Sequence, residues 1–188
     1  MTGDVYLAGL WKKILCRGLM WQIESPAKFR PIYHVPTWSW LSTGCPIYYF
    51  NNKEEVRALM DAYLVEILEA ETVLAGADTT GAISGGIIKL RGQMMQGRLR
   101  EAGKFFGIDS EKNLQTGIVV LDLEWEVVEA INGPLWCLRL IEDQGLLLKP
   151  CGNNFQRVGV FYMGSRINSQ LSGEMWFRGC EPCTITLV

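Results

Sequence analysis

The chain has 188 residues, 48% of them hydrophobic and 20% charged, with a formal net charge of -2. That length suffices for one β-rich domain, residues 1–188, whose core needs no disulfide or metal support. The near-neutral charge excludes the basic footprint of a nucleic-acid binder, and no apolar run reaches the roughly 18 residues that a membrane-crossing helix requires.

Residues 4–15, DVYLAGLWKKIL, carry Val5, Leu7, Ala8, Trp11 and Leu15 at near-helical spacing. With Asp4 as N-cap they predict a short amphipathic helix, ended by Gly18. The run is interrupted by Gly9 and followed, not preceded, by Lys12 and Lys13. It therefore does not read as a secretion signal, and a cytoplasmic location is expected. Pro26, Pro31, Pro36, Gly44 and Pro46 then favour extended segments and turns. Within this stretch P-T-W-S-W-L-S at 36–42 alternates as a strand does, which puts Trp38 and Trp40 on one face. K-E-E-V-R-A-L-M after Asn52 predicts a helical turn or two near 53–60.

The Val, Ile and Thr content of the run that follows, AYLVEILEAETVLA, favours strand over helix. G-A-I-S-G-G reads as a turn and I-I-K-L-R-G as the strand after it. Residues 121–128, LDLEWEVV, alternate most clearly: Leu121, Leu123, Trp125 and Val127 form an apolar face, and Asp122, Glu124 and Glu126 an acidic one. This is the pattern of a half-buried strand whose acids meet solvent or converge in a barrel lumen. P-L-W-C-L-R-L-I, G-L-L-L-K-P, F-Q-R-V-G-V-F-Y-M and a final T-I-T-L-V add further strands, most of them separated by Gly or Asn turns. The expected fold is mainly β, an antiparallel β-barrel or sandwich with a short N-terminal helix.

Cys16, Cys45, Cys137 and Cys151 stand alone, and Cys180 with Cys183 forms C-E-P-C. A zinc ribbon needs a second such pair and a redox site needs a strand-to-helix setting, so all six are expected to be reduced structural thiols, with no metal site. The Gly-rich stretch at 76–86 lacks the Lys of a phosphate loop, and no cofactor is expected. Arg91, Arg98, Arg100 and Lys104 are broken by Glu101 and read as a solvated surface. His34 is the only histidine, so any histidine-dependent catalysis must use it. Seven Trp, seven Phe and six Tyr are spread along the chain. They suit an aromatic core, or a barrel that encloses one small apolar ligand.

Six stretches carry a resemblance, all in order: G-D-V-Y-L-A-G-L-W at 3–11, R-G-L-M-W at 17–21, P-T-W-S-W-L-S at 36–42, the run from Val65 through G-G-I-I-K-L-R-G at 85–92, G-L-L-L-K-P at 145–150 and R-V-G-V-F at 157–161. Together they resemble the region that follows the signature domain in fungal HET (heterokaryon-incompatibility) proteins. Where that family carries acidic residues after L-A-G-L-W, this chain has Lys12, Lys13 and Ile14. No motif of the signature domain occurs in these residues.

Two functions follow as expectations. The first is a cofactor-independent cyclase or pericyclase of the Diels–Alder type, or a binder, acting on a hydrophobic fungal terpenoid or polyketide. Such catalysis consists mainly of holding the substrate in a reactive shape, with His34 as the polarising hydrogen-bond donor and Trp38, Trp40, Tyr48 and Tyr162 as substrate contacts. The second is a non-enzymatic interaction or regulatory module of the incompatibility system, as the resemblance implies. A homo-oligomer is compatible with either.

Overall fold

The structure, a computed structural model, describes residues 3–28, 35–49, 63–77, 82–102, 105–110, 116–124, 134–163 and 173–188, with the backbone alone at 100–102, 105–110, 116, 173 and 175. The helix expected over 53–60 and His34 lie outside these residues.

A short N-terminal helix is present, but it begins later than the spacing predicts. Residues 4–11 form a hairpin instead, β1 (Tyr6–Leu7) against β2 (Leu10–Trp11), followed by a 3-10 turn at Lys12–Ile14 and then α1 (Leu15–Gly18). The reason is local. Ala8 and Gly9 have φ of 47° and 89°, the positive pair of a two-residue type I′ hairpin loop, which no right-handed helix can contain. Asp4 does not cap a helix. Its Oδ1 accepts from the backbone N–H of Val5 at 2.9 Å and of Lys13 at 3.1 Å, closing the base of the hairpin. Leu7 and Leu10 are ladder partners on one face, and both are buried.

The strand expected at 36–42 is a turn that leads into a 3-10 helix at Trp40–Ser42. Ser39 accounts for the difference. Its side chain accepts from the N–H of Leu41 at 3.1 Å and donates to the carbonyl of Ala8 at 2.6 Å, so it caps the helix and ties it to the hairpin loop. Trp38 and Trp40 consequently do not share a strand face. Two short strands, β3 (Gln22–Ile23) and β4 (Ile47–Tyr48), pair antiparallel beside this turn.

The main sheet has eight strands: β5 (Glu66–Leu74), β6 (Ile83–Ala102), β7 (Phe105–Ser110), β8 (Thr116–Leu121), β9 (Leu135–Ile141), β10 (Gln144–Cys151), β11 (Asn154–Tyr162) and β12 (Pro182–Leu187). The Gly-rich stretch expected to turn at 81–86 instead enters β6 from Ile83 onward, paired with β5. The pairings β6–β7, β7–β8, β8–β11, β11–β10, β10–β9 and β9–β6 are all antiparallel and return to β6, so these six strands close a circuit. β12 lies between β6 and β11, antiparallel to the first and parallel to the second.

Closure sorts the side chains into two cores. Met95, Val119, Leu121, Cys137, Leu147 and Phe161 come from five strands of the circuit and form one buried cluster with Trp176 and Phe177. This cluster gathers side chains from one face of the circuit strands. Trp176 belongs to α2 (Gly173–Trp176) and stacks on Phe161 at 6.3 Å between ring centres. The second cluster lies on the opposite faces of the strands. There Ile88, Leu90, Leu138, Leu146, Leu148 and Val160 meet Leu7, Leu10, Leu15, Leu19 and Trp38 of the N-terminal segments. Each fully buried Leu, Ile or Val here contributes about 1.5–3 kcal/mol relative to exposure.

Two glycines, one in the G-L-L-L stretch and one in R-V-G, are there for close approach. A Cβ on Gly145 would fall 1.9 Å from the carbonyl oxygen of Leu138, and one on Gly159 would fall 2.4 Å from that of Val120.

Candidate functional site

The residues that hold the N-terminal segments onto the barrel converge on Arg157, which has 0% exposure. Its Nε donates to Asp122 Oδ2 at 3.0 Å and its Nη2 to Asp122 Oδ1 at 3.1 Å, a bidentate pair. Its Nη1 donates to the carbonyl of Leu19 at 2.6 Å, and Nη2 also donates to that of Trp21. The guanidinium carbon lies 3.4 Å from the centre of the Trp21 ring, a cation–π contact. The backbone N–H of Arg157 donates to Thr37 Oγ1 at 2.9 Å, and that hydroxyl donates to the carbonyl of Val188. Trp21 Nε1 donates to the carbonyl of Trp38 at 2.9 Å. The stretches R-G-L-M-W, P-T-W, L-D-L and R-V-G-V-F thus meet at one buried ion pair.

This corrects the reading of 121–128 as a strand: among its described residues only Leu121 lies in one, as the last residue of β8. Leu121 and Leu123 are buried as expected, but Asp122 is 2% exposed and faces neither solvent nor an open lumen. Trp125 and Glu126 lie outside the described residues. The signal of the pair in the sequence is a charged residue in each of two apolar runs, L-D-L and R-V-G-V-F. Nothing in either run names the other as its partner.

The predicted contact residues differ in burial and in hydrogen-bond partners. Trp38 is fully buried, and a Cβ on Gly86 would stand 3.1 Å from its ring. Its Nε1 has no partner among the described residues. Trp40 is half-buried, and its Nε1 donates to the carbonyl of Gly9 at 2.9 Å. Tyr162 ends β11, and its hydroxyl accepts from Gln22 Nε2. Gln22 is the ladder partner of Tyr48. The structure therefore brings Tyr48 and Tyr162 to the same glutamine, and places Tyr162 and Trp38 in one apolar cluster against which Trp40 packs. Tyr48 is 37% exposed, and burial, with help from the charge of Glu24, raises its phenol above the usual range. It stays protonated at neutral pH.

A separate cleft of about 160 Å³ opens between the 3-10 turn with α1 and the start of β5. Lys12, Lys13, Ile14, Leu15, Cys16 and Arg17 form one wall, and Tyr63 and Ile67 the other. Three cations thus line the cleft together with apolar side chains, of which Leu15 is buried. Burial raises the Cys16 thiol from 9.0 to about 11. Burial also raises the Tyr63 phenol, assisted by the Cys16 thiol and opposed by the positive charge of Arg17. Both groups are neutral at pH 7, so the cleft offers hydrogen-bond donors and positive charge. None of the predicted contact residues lines it. Sequence reading passed over Lys12, Lys13 and Arg17, because only the fold of the hairpin and α1 sets them opposite β5.

Cys180 and Cys183 are free thiols, half-buried and exposed respectively. Among the described residues no helix is long and apolar enough to cross a membrane, and no cluster of His, Cys, Asp and Glu could hold a metal ion.

Comparisons with protein-family models, with curated proteins and with solved structures find no match for this chain.

Proposed function

We propose that the chain is a non-enzymatic interaction module of the fungal heterokaryon-incompatibility kind, acting through its outer surface. One observation carries this reading: both faces of the circuit strands are occupied by contiguous apolar clusters, so the enclosed face is filled with side chains. A small barrel either fills its interior with side chains or holds one ligand there, and the occupied interior supports the first. The motif residues Trp21, Thr37, Trp38 and Arg157 are engaged in joining segments, which agrees with a scaffold role. The test is to mix the chain with a separately produced HET signature domain and follow it by size-exclusion chromatography. Co-elution is expected. A chain that elutes unchanged and also converts a polyene substrate would overturn the reading.

One observation favours the cofactor-free cyclase as the second reading. Trp38 Nε1 is a fully buried donor without a partner among the described residues, and a buried N–H is the kind of group that polarises a dienophile carbonyl. Under that reading His34→Ala lowers turnover about tenfold or more with the fold intact. Unchanged turnover in that variant would remove His34 from the mechanism.

A further inference from the structure

We propose that the cleft between α1 and β5 docks an acidic segment of a partner protein that inserts one apolar side chain of Phe or Leu size. The inference rests on the interaction-module reading and gives it a site and a partner chemistry.

Size decides the first half of the argument. The cleft measures about 160 Å³, and a cavity of about 150 Å³ accommodates a benzene ring. It therefore takes one large apolar side chain and no more. Its lining fits that occupant, because Leu15, Ile67 and the Tyr63 ring are apolar and the Cys16 thiol stays uncharged at neutral pH.

Charge decides the second half. Lys12, Lys13 and Arg17 line the cleft of a protein whose net charge is -2, so the cleft is a local inversion of the overall sign. An incoming segment with carboxylates on both sides of its apolar anchor matches this pattern. Trp11 and Leu64, next in the chain to the two walls, are each 46% exposed and extend the apolar surface such a segment would cover. A concave site for one side chain favours a peptide over an anionic membrane, which offers a broad, flat surface.

The probe is a short fluorescein-labelled peptide with one central Phe flanked by Glu on both sides, read by fluorescence anisotropy on the whole chain. Binding is expected, weakening as ionic strength rises. Replacing the central Phe by Ala should weaken it about tenfold or more, and a Phe peptide flanked by Lys should not bind. Lys12 is exposed, so Lys12→Glu keeps the fold and should weaken binding about tenfold. Cys16→Phe fills the cleft and should abolish the contribution of the Phe anchor. Equal binding of the Phe and Ala peptides, no change in Lys12→Glu, or binding to phosphatidylserine vesicles without peptide binding would each overturn the proposal. The two readings fail separately. A signature domain that co-elutes equally well with Lys12→Glu keeps the module and rejects this site. A Phe-dependent, Lys12-dependent peptide complex without signature-domain binding keeps the site and rejects that module.

Discussion

Arg157 and Asp122 carry opposite charges with 0% and 2% side-chain exposure. Bringing such a pair out of water is costly, and it persists here because the guanidinium also satisfies the carbonyls of Leu19 and Trp21. Asp122→Asn keeps the shape but leaves the arginine charge uncompensated. We expect a loss of about 3–5 kcal/mol, seen in thermal denaturation as a fall of roughly 10 °C. A fall of a degree or two would mean that the two carbonyls alone sustain the guanidinium. Cys16 supplies a pH dependence of known sign. Its thiol titrates at about 11 in the folded chain, against 9.0 ordinarily. Below pH 9 both states hold the proton, and between 9 and 11 the folded state keeps it while the unfolded state loses it. Stability should therefore fall as pH rises through that window, and Cys16→Ala should flatten that part of the profile. An equally steep profile in the variant would assign the effect to other groups.

At the scale of the elements, backbone proximity outweighs side-chain pattern. Gly145 in β10 passes so close to β9 that a Cβ would fall 1.9 Å from the Leu138 carbonyl oxygen and 2.7 Å from the Phe161 ring. Gly145→Ala is therefore expected to cost about 3 kcal/mol, measured by urea unfolding. A variant as stable as the parent would show that β9 and β10 can separate without loss. The N-terminal hairpin teaches the converse. Val5, Leu7, Ala8, Trp11 and Leu15 do recur at helical spacing, yet the chain turns at Ala8–Gly9. A positive φ at both loop residues and the two N–H groups gathered by Asp4 favour a hairpin over a helical turn. Helical and hairpin patterns overlap over so short a run, and the contact of Gly9 with Trp40 that helps decide between them is distant in sequence. The same holds at 36–42, where Ser39 bonds to Ala8 and makes a capped turn of an alternating sequence.

At the scale of the whole molecule, β12 joins parts of the sheet far apart in the chain. It pairs with β6 over Pro182–Leu187 and meets β11 at Phe155, and it buries Ile185 and Leu187. Val188 then accepts from the N–H of Thr37 at 3.1 Å and donates to Phe155 at 2.9 Å. Removing residues 182–188 should leave β6 and β11 without their shared neighbour and abolish cooperative unfolding, with near-UV circular dichroism lost. A truncated chain that still melts in a single sharp transition would contradict the place given to β12. By itself the sequence determined the β class and the positions of β5, β9, β10, β11 and β12. These follow from β-branched content, alternation and Gly-bounded runs, which are local properties of the chain. The tertiary structure alone decided the closure of the barrel, the pairing of Asp122 with Arg157, the burial of Trp38 with Trp40 packed against its cluster, and the setting of Lys12 and Arg17 opposite Tyr63. Each of these joins residues far apart in the chain, and a buried charge or a cleft is defined by the groups packed around it rather than by its neighbours in sequence.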